Sequence, residues 1–219
     1  MHKQALVLGL GQFGMSLVRS LSELRVDVLA VDRKPELVRH ASEFASQAAT
    51  FDATDEAALA RAAPSRRDVC ICAIGDEARE AAIICTAMLR QMGANRVIAR
   101  AGDPVLERIL RLVGAHEVVN PEHAFGQRLA AQLAHDGVMG EYPLSEGLTI
   151  TELELPRAFV GRSLLEIELP RRHGITVVAI QRGGETLTAP DPRAPLREGD
   201  TLVVVSQTGA VSKLLDRVG

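Results

Sequence analysis

Positive charge is in short supply: the 219-residue chain sets 25 Lys and Arg against 28 Asp and Glu, for a net charge of −3. That balance offers no basic face to a nucleic acid and no polybasic patch to an anionic membrane surface. No apolar run approaches the ~20 residues that a membrane-spanning helix needs. The start, Met1-His2-Lys3 and then a short apolar run, has no secretory-signal pattern. A soluble cytoplasmic protein is the expectation. Cysteine is scarce as well. Cys70 and Cys72 alternate in Val69–Ile74, and Cys85 stands apart. A Cys-x-Cys with no further Cys or His nearby is not a zinc pattern, so the three read as small core residues in a reducing compartment. The histidines, at 2, 40, 116, 123, 135 and 173, include no pair at helical ligand spacing. No Ser/Tyr/Lys or His/Asp set marks a proton-transfer site, and Tyr142 is the only tyrosine. There is no internal repeat and no low-complexity tract.

What the chain does have stands at its beginning. Gln4–Leu8 reads as a buried strand and runs directly into Gly9-Leu10-Gly11-Gln12-Phe13-Gly14. An amphipathic helix follows, with Phe13, Leu17, Leu21 and Leu24 on one stripe. The next apolar run, Val26–Val31, ends in Asp32, 18 residues after Gly14 and near the ~20 of dinucleotide-binding turns. Each part has a physical role. Gly9 permits the tight turn, Gly11 lets backbone N–H groups approach a diphosphate, and Gly14 lets helix and sheet pack closely. The helix N-terminus adds roughly half a positive charge where phosphates would sit. The Asp32 carboxylate can accept from ribose hydroxyls and repels a 2′-phosphate, an exclusion that Arg33 weakens. A nucleotide site is the expectation; a glycine turn that serves packing alone is the alternative.

Strand and helix patterns then alternate to residue 134. Strands are expected at 47–51, 68–74, 96–99 and 117–119, with helices from about Pro35 and at 55–62, 77–92, 104–113 and 121–134. Alternation of this kind gives a parallel sheet covered on both faces, an α/β Rossmann-like doubly wound fold. The rhythm breaks at His135–Gly140, where two glycines suggest a hinge. Beyond it, strands at 148–155, 174–181, 185–189 and 201–206, short helices at 163–168 and 208–217, and a Gly183-Gly184 hairpin read as a small α+β domain. The expected domains are 1–136 and 141–219.

Taken together, these segments resemble the RCK (regulator of potassium conductance) family, the KtrA/TrkA-type regulatory subunits of bacterial potassium transporters. The resemblance rests on Gly9–Gly14, Val28–Asp32, Asp52-Ala53-Thr54, Ala73-Ile74-Gly75, Val113-Gly114-Ala115 and Asn120-Pro121-Glu122. In the tail it rests on Val160–Leu164 and Leu196–Asp200. The single unit in a chain of this length matches the Ktr type. The resemblance implies an RCK N-lobe that binds ATP or ADP, with NAD or NADH also possible, and an RCK C-lobe. It implies that Gly9, Gly11, Gln12, Phe13 and Gly14 hold phosphates, with Asp32 on the ribose. It places Asp52 and Ala53 beside adenine, Ile74 and Gly75 as a pocket wall, and Arg100 near the phosphates. Glu122 matches a carboxylate that helps bind a divalent cation such as Mg²⁺ between two nucleotides of a dimer. The implied assembly is a homodimer that builds an octameric ring on a membrane-embedded Ktr/Trk-type transporter, peripheral to the inner face of the membrane.

One position departs from the family pattern. Gln12 stands where an arginine often reaches a terminal phosphate, and a neutral amide brings no charge there. From the residues alone, other readings stay open. Asp52 also suits a turn, Arg100 a strand end, Glu122 a helix first turn, and Asp76-Glu77 a solvated helix start. A small NAD-dependent oxidoreductase, a stand-alone nucleotide-binding protein and a tail that senses a cyclic dinucleotide are the alternative functions.

Overall fold

Every side chain from Ala5 to Leu8 is buried, so β1 (Gln4–Leu8) is covered on both faces. Side chains alternate along a strand, and here alternate residues enter two separate cores. Leu6 and Leu8 join Leu29, Val31, Cys70, Cys72, Val97 and Ala99. Ala5 and Val7 join Val28, Ala30, Ile71 and Ala73. The structure, a computed structural model, describes residues 2–134 and 136–218. His135, in the expected hinge, lies outside the described residues.

β1 pairs in parallel with β2 (Asp27–Asp32) and β4 (Val69–Cys72). With β3 (Gln47–Thr50), β5 (Val97–Arg100) and β6 (Glu117–Val119) they form one sheet in the order β3-β2-β1-β4-β5-β6. This is the doubly wound order with its switch point between β1 and β4. Helices α1 (Gln12–Glu23) and α2 (Pro35–Ala41) close one core with Val18, Val38 and Ala41. Helices α3 (Glu56–Arg61), α4 (Arg79–Gln91) and α5 (Pro104–Leu112) close the other with Leu59, Cys85, Leu89, Leu106 and Leu110. Each fully buried leucine contributes about 1.5–3 kcal/mol. The cysteines are free and buried, and burial pushes the Cys70 thiol up to about 12. Side-chain caps start two of these five helices: Asp55 accepts from Ala58 N–H, and Asp103 from Val105 and Leu106 N–H.

The chain divides into two compact units, Met1–His123 and Ala124–Gly219, and α6 (Pro121–Ala134) spans the division. The second unit holds an antiparallel sheet in the order β10-β9-β11-β8-β7. Its strands are β7 (Val138–Ser145), β8 (Leu148–Glu154), β9 (Ile175–Arg182), β10 (Glu185–Thr188) and β11 (Thr201–Gln207). Its core is built from Leu153, Ile175, Leu202 and Val204 with Leu214 of α9 (Ala210–Val218). The expected α/β-then-α+β architecture is therefore present.

Two elements differ from the sequence expectation. Within the segment expected as a hinge, residues 138–140 are strand: Val138 to Ser145 is β7, paired to β8 through the two-residue Glu146-Gly147 turn, and Gly137 lies in the turn before it. It is an edge strand with two register shifts, and that position tolerates Gly140 and Pro143. Short helix α7 (Leu164–Ile167) has the Ser163/Glu166 capping box, but a second helix, α8 (Leu169–His173), follows at once. Glu168 joins them in the left-handed region at φ 54°, a junction that hydrophobic periodicity does not encode.

Candidate functional site

The sheet carries its candidate residues on one edge. The Gly9–Gly14 turn leaves β1, Asp32 ends β2, Asp52 follows β3, and Ile74-Gly75 follow β4. Arg100 ends β5, and Glu122 lies just past β6. All therefore stand at the C-terminal ends of parallel strands, where open α/β sheets bind ligands.

The glycine turn is held by backbone packing. Gly9 has φ +95°, and a Cβ there would lie 2.9 Å from Ile74 N. A Cβ at Gly14 would overlap the Gly9 carbonyl oxygen and lie 3.3 Å from Ala73 Cβ. The turns after β1 and β4 are thus packed against each other. Gly11 differs: a Cβ there meets nothing within 4 Å, and its φ of −63° suits any residue. Gly11 is the N-cap of α1, with no side-chain cap bond and no acid in the first turn. The first helical bond runs from Met15 N–H to Gly11 C=O at 2.9 Å. The N–H groups of Gln12, Phe13 and Gly14 precede it and have no intrahelical acceptor. Gln12 is exposed, whereas Phe13 packs partly into the core behind the turn.

Asp32 has a second task that sequence reasoning missed. Its Oδ2 accepts from the buried Leu10 N–H at 2.7 Å, and its Oδ1 accepts from Lys34 N–H at 2.8 Å. A carboxylate offers about four acceptor sites, so about two remain for ribose hydroxyls. Asp52 Oδ1 accepts from Thr54 N–H at 2.9 Å and Thr54 Oγ at 2.7 Å. Those bonds, with a smaller contribution from the nearby Arg33 charge, hold its carboxyl below the usual range. Ala53 packs partly against the core. Helix-start N–H groups and a partly open carboxylate thus share one sheet edge.

At the other half of the edge, Arg100 is clamped. Its Nη2 donates to Glu122 Oε1 at 2.7 Å and to Asp76 Oδ2 at 3.4 Å. The side chain is 14% exposed, and Nε is buried without a hydrogen-bond partner among the described residues. Asp76 Oδ1 also accepts from Gly102 N–H at 2.9 Å. Asp76 is therefore a bridge between β4 and β5 rather than only a solvated helix start. Glu77 folds over Gly75, where a Cβ would overlap its carboxylate. The Arg100 hydrogen bond holds the Glu122 carboxyl below the usual range. Among the described residues no group of three His, Cys, Asp or Glu side chains is placed to hold a metal ion. One chain thus offers a cation the Glu122 carboxylate, and Arg100 already occupies one of its oxygens.

The order of the sheet, the glycine turn at its switch point and the small antiparallel unit define an RCK-type two-lobe protein. The GsuK RCK domain has this fold, with a TM-score of 0.69 at 21% identity over 100% of this chain. This chain spans 48% of that one. The TrkA-N domain model matches residues 5–121 and the TrkA-C domain model residues 148–219, and the chain belongs to this family. It is 31% identical to Ktr system potassium uptake protein C of Bacillus subtilis (strain 168), over 100% of this chain and 98% of that protein. It is 32% identical to Ktr system potassium uptake protein A of Vibrio alginolyticus, over 99% of this chain and 96% of that protein.

Proposed function

We propose that this chain is a non-enzymatic, nucleotide-sensing regulatory subunit of a potassium uptake system. Gly11 carries the proposal. Neither its backbone conformation nor its packing requires glycine, so the missing side chain makes room for something outside the chain. Three N–H groups at the start of α1, with no acid in its first turn, give that ligand a phosphate seat. In this reading Gly9 to Gly14 hold the phosphates of ATP, ADP or NAD(H), and Asp32 holds the ribose. Asp52 and Ala53, with Arg33 near Asp52, border the base, Ile74 and Gly75 form a wall, and Arg100 lies near the phosphates.

The names of the relatives support a potassium uptake system as the setting, with a Ktr/Trk-type membrane transporter as partner and a place on its cytoplasmic side. The exposed stripe of Phe125, Leu129 and Leu133 on α6, at 60, 42 and 77% exposure, supports self-association. We extend this to a homodimer and an octameric ring whose shape the nucleotide sets. Such control needs a nucleotide that binds two ring shapes with different affinities.

Adenine nucleotide at saturation is expected to raise the melting temperature, and Asp32→Ala to abolish the rise. The same variant orphans Leu10 N–H, so its ligand-free stability falls by about 1–3 kcal/mol. An undiminished nucleotide shift in Asp32→Ala contradicts the ribose role. The proposal also makes Glu122 a divalent-cation ligand once Arg100 releases it, with phosphates, water and a second chain completing the shell. Arg100→Gln removes the competing charge and is expected to tighten Mg²⁺ binding to the nucleotide-loaded protein about tenfold. Calorimetric titration with Mg²⁺ reads this directly. Equal affinity in Arg100→Gln and the parent protein sinks the competition.

A further inference from the structure

Neighbouring strands β2, β1, β4 and β5 each start within two residues of a cation: Arg25, Lys3, Arg67 and Arg96. The strands are parallel, so the cations form a row at the end of the sheet opposite the glycine turn. Arg66 adds a further charge. Strands lie about 4.8 Å apart, and the register of Ala5 with Val69 sets Lys3 level with Arg67. Folding alone gives no reason for this crowding. Arg61, Arg90 and Arg111, at the same end, complement the C-terminal dipoles of α3, α4 and α5. No such dipole stands behind the cations that precede strands. Asp27, Asp68 and Glu117 offset part of the row. Glu117 takes Arg96 at 2.7 Å, and Asp68 Oδ2 accepts from Gln4 N–H at 2.7 Å. Lys3, Arg25 and Arg66 are exposed and form no ion pair among the described residues. Two bare leucines flank the row. Leu24 closes α1 and Leu112 ends α5, at 75 and 77% exposure. Those helices cover opposite faces of the sheet.

We propose that this end of the first unit docks on the anionic phospholipid surface of a membrane. Charge complementarity carries the choice: each Lys or Arg near such a surface favours association about fivefold. The leucines decide between occupants. An acidic protein face matches the cations and gives the leucines nothing apolar, whereas a lipid surface takes both, cations on headgroup phosphates and leucines among the upper acyl carbons. Docking this way leaves the nucleotide edge, at the other end of the strands, open to solution. The sequence shows no polybasic run because these residues lie far apart along the chain; the parallel sheet gathers them.

Sedimentation of the full chain with lipid vesicles tests the surface. Association is expected with vesicles of phosphatidylcholine mixed with phosphatidylglycerol, not with phosphatidylcholine alone, and it is expected to weaken as salt rises. Lys3→Gln, Arg25→Gln and Arg66→Gln together are expected to weaken it on the order of a hundredfold. Leu24→Ser with Leu112→Ser is expected to weaken it about tenfold or more, at unchanged charge. Circular dichroism checks that each variant is folded; the single Lys3→Gln serves if the triple variant is not, with an expected loss of about fivefold. Equal association of the parent protein with both vesicles overturns the proposal, as does undiminished association of a folded charge variant. Binding of soluble poly-glutamate with none to the mixed vesicles assigns the row to an acidic protein face and also overturns it.

Discussion

Gly11→Ala is expected to abolish the nucleotide-induced rise in melting temperature while leaving the ligand-free protein almost as stable as before. The added methyl group meets no atom of the chain, and φ at this position is ordinary. The cost to the free protein is the poorer N-cap, under about 1 kcal/mol. The same methyl stands where a diphosphate has to approach the N–H groups of α1. At a nucleotide concentration of about 100 times Kd the parent protein gains about 2.7 kcal/mol. For a chain of this size that is a rise of about 5–10 °C, and the variant is expected to show none of it. Gly14→Ala supplies the contrast. Its methyl overlaps the Gly9 carbonyl oxygen and crowds Ala73, so α1 has to move off the sheet. The expected loss is about 1–3 kcal/mol in the absence of any ligand. Differential scanning with and without nucleotide separates the two. Equal shifts in Gly11→Ala and the parent protein contradict the phosphate seat.

Asp200→Ala is expected to destabilise the second unit by about 3–5 kcal/mol and to leave nucleotide binding intact. The Asp200 carboxylate is 0% exposed and pairs with an Arg182 side chain that is 27% exposed. The contact is bidentate, Nε to Oδ1 and Nη2 to Oδ2, both at 2.7 Å. Oδ2 also accepts from Arg197 N–H at 2.8 Å, which closes the turn before β11. Removing the carboxylate strands all three N–H donors. The value belongs near the lower end of the range, since the Arg182 head can reach water. The Arg182 hydrogen bond holds the Asp200 carboxyl below its usual range. A depressed folded pKa gives stability that is complete above the unfolded value, about 3.9, and is lost as pH falls through the folded value. Urea unfolding at neutral and acid pH is expected to show that loss in the parent protein and a smaller one in Asp200→Ala. A variant as stable as the parent at neutral pH contradicts the assignment.

The first sheet was legible because its signals are local. Strand, glycine turn, helix and Asp32 follow one another within a short stretch. Doubly buried strands such as β1 announce themselves as continuous apolar runs. Other features depend on partners distant in sequence. The start of strand β7 reads as a hinge because Gly137 and Gly140 interrupt the apolar pattern there; its pairing with β8 decides the matter. The tie from Asp32 to the Leu10 backbone N–H, and the Asp76–Arg100–Glu122 side-chain contact, join groups that follow separate strands. No periodicity encodes such pairs, so Asp76 reads as a solvated acid and Arg100 as a strand end until the fold brings them together.

Equilibrium dialysis of the purified chain against labelled ATP, ADP and NAD tests the central claim most directly. About one adenine nucleotide bound per chain, lost in Gly11→Ala without loss of fold, is the expected result. A folded chain that binds none of the three at millimolar concentration contradicts it.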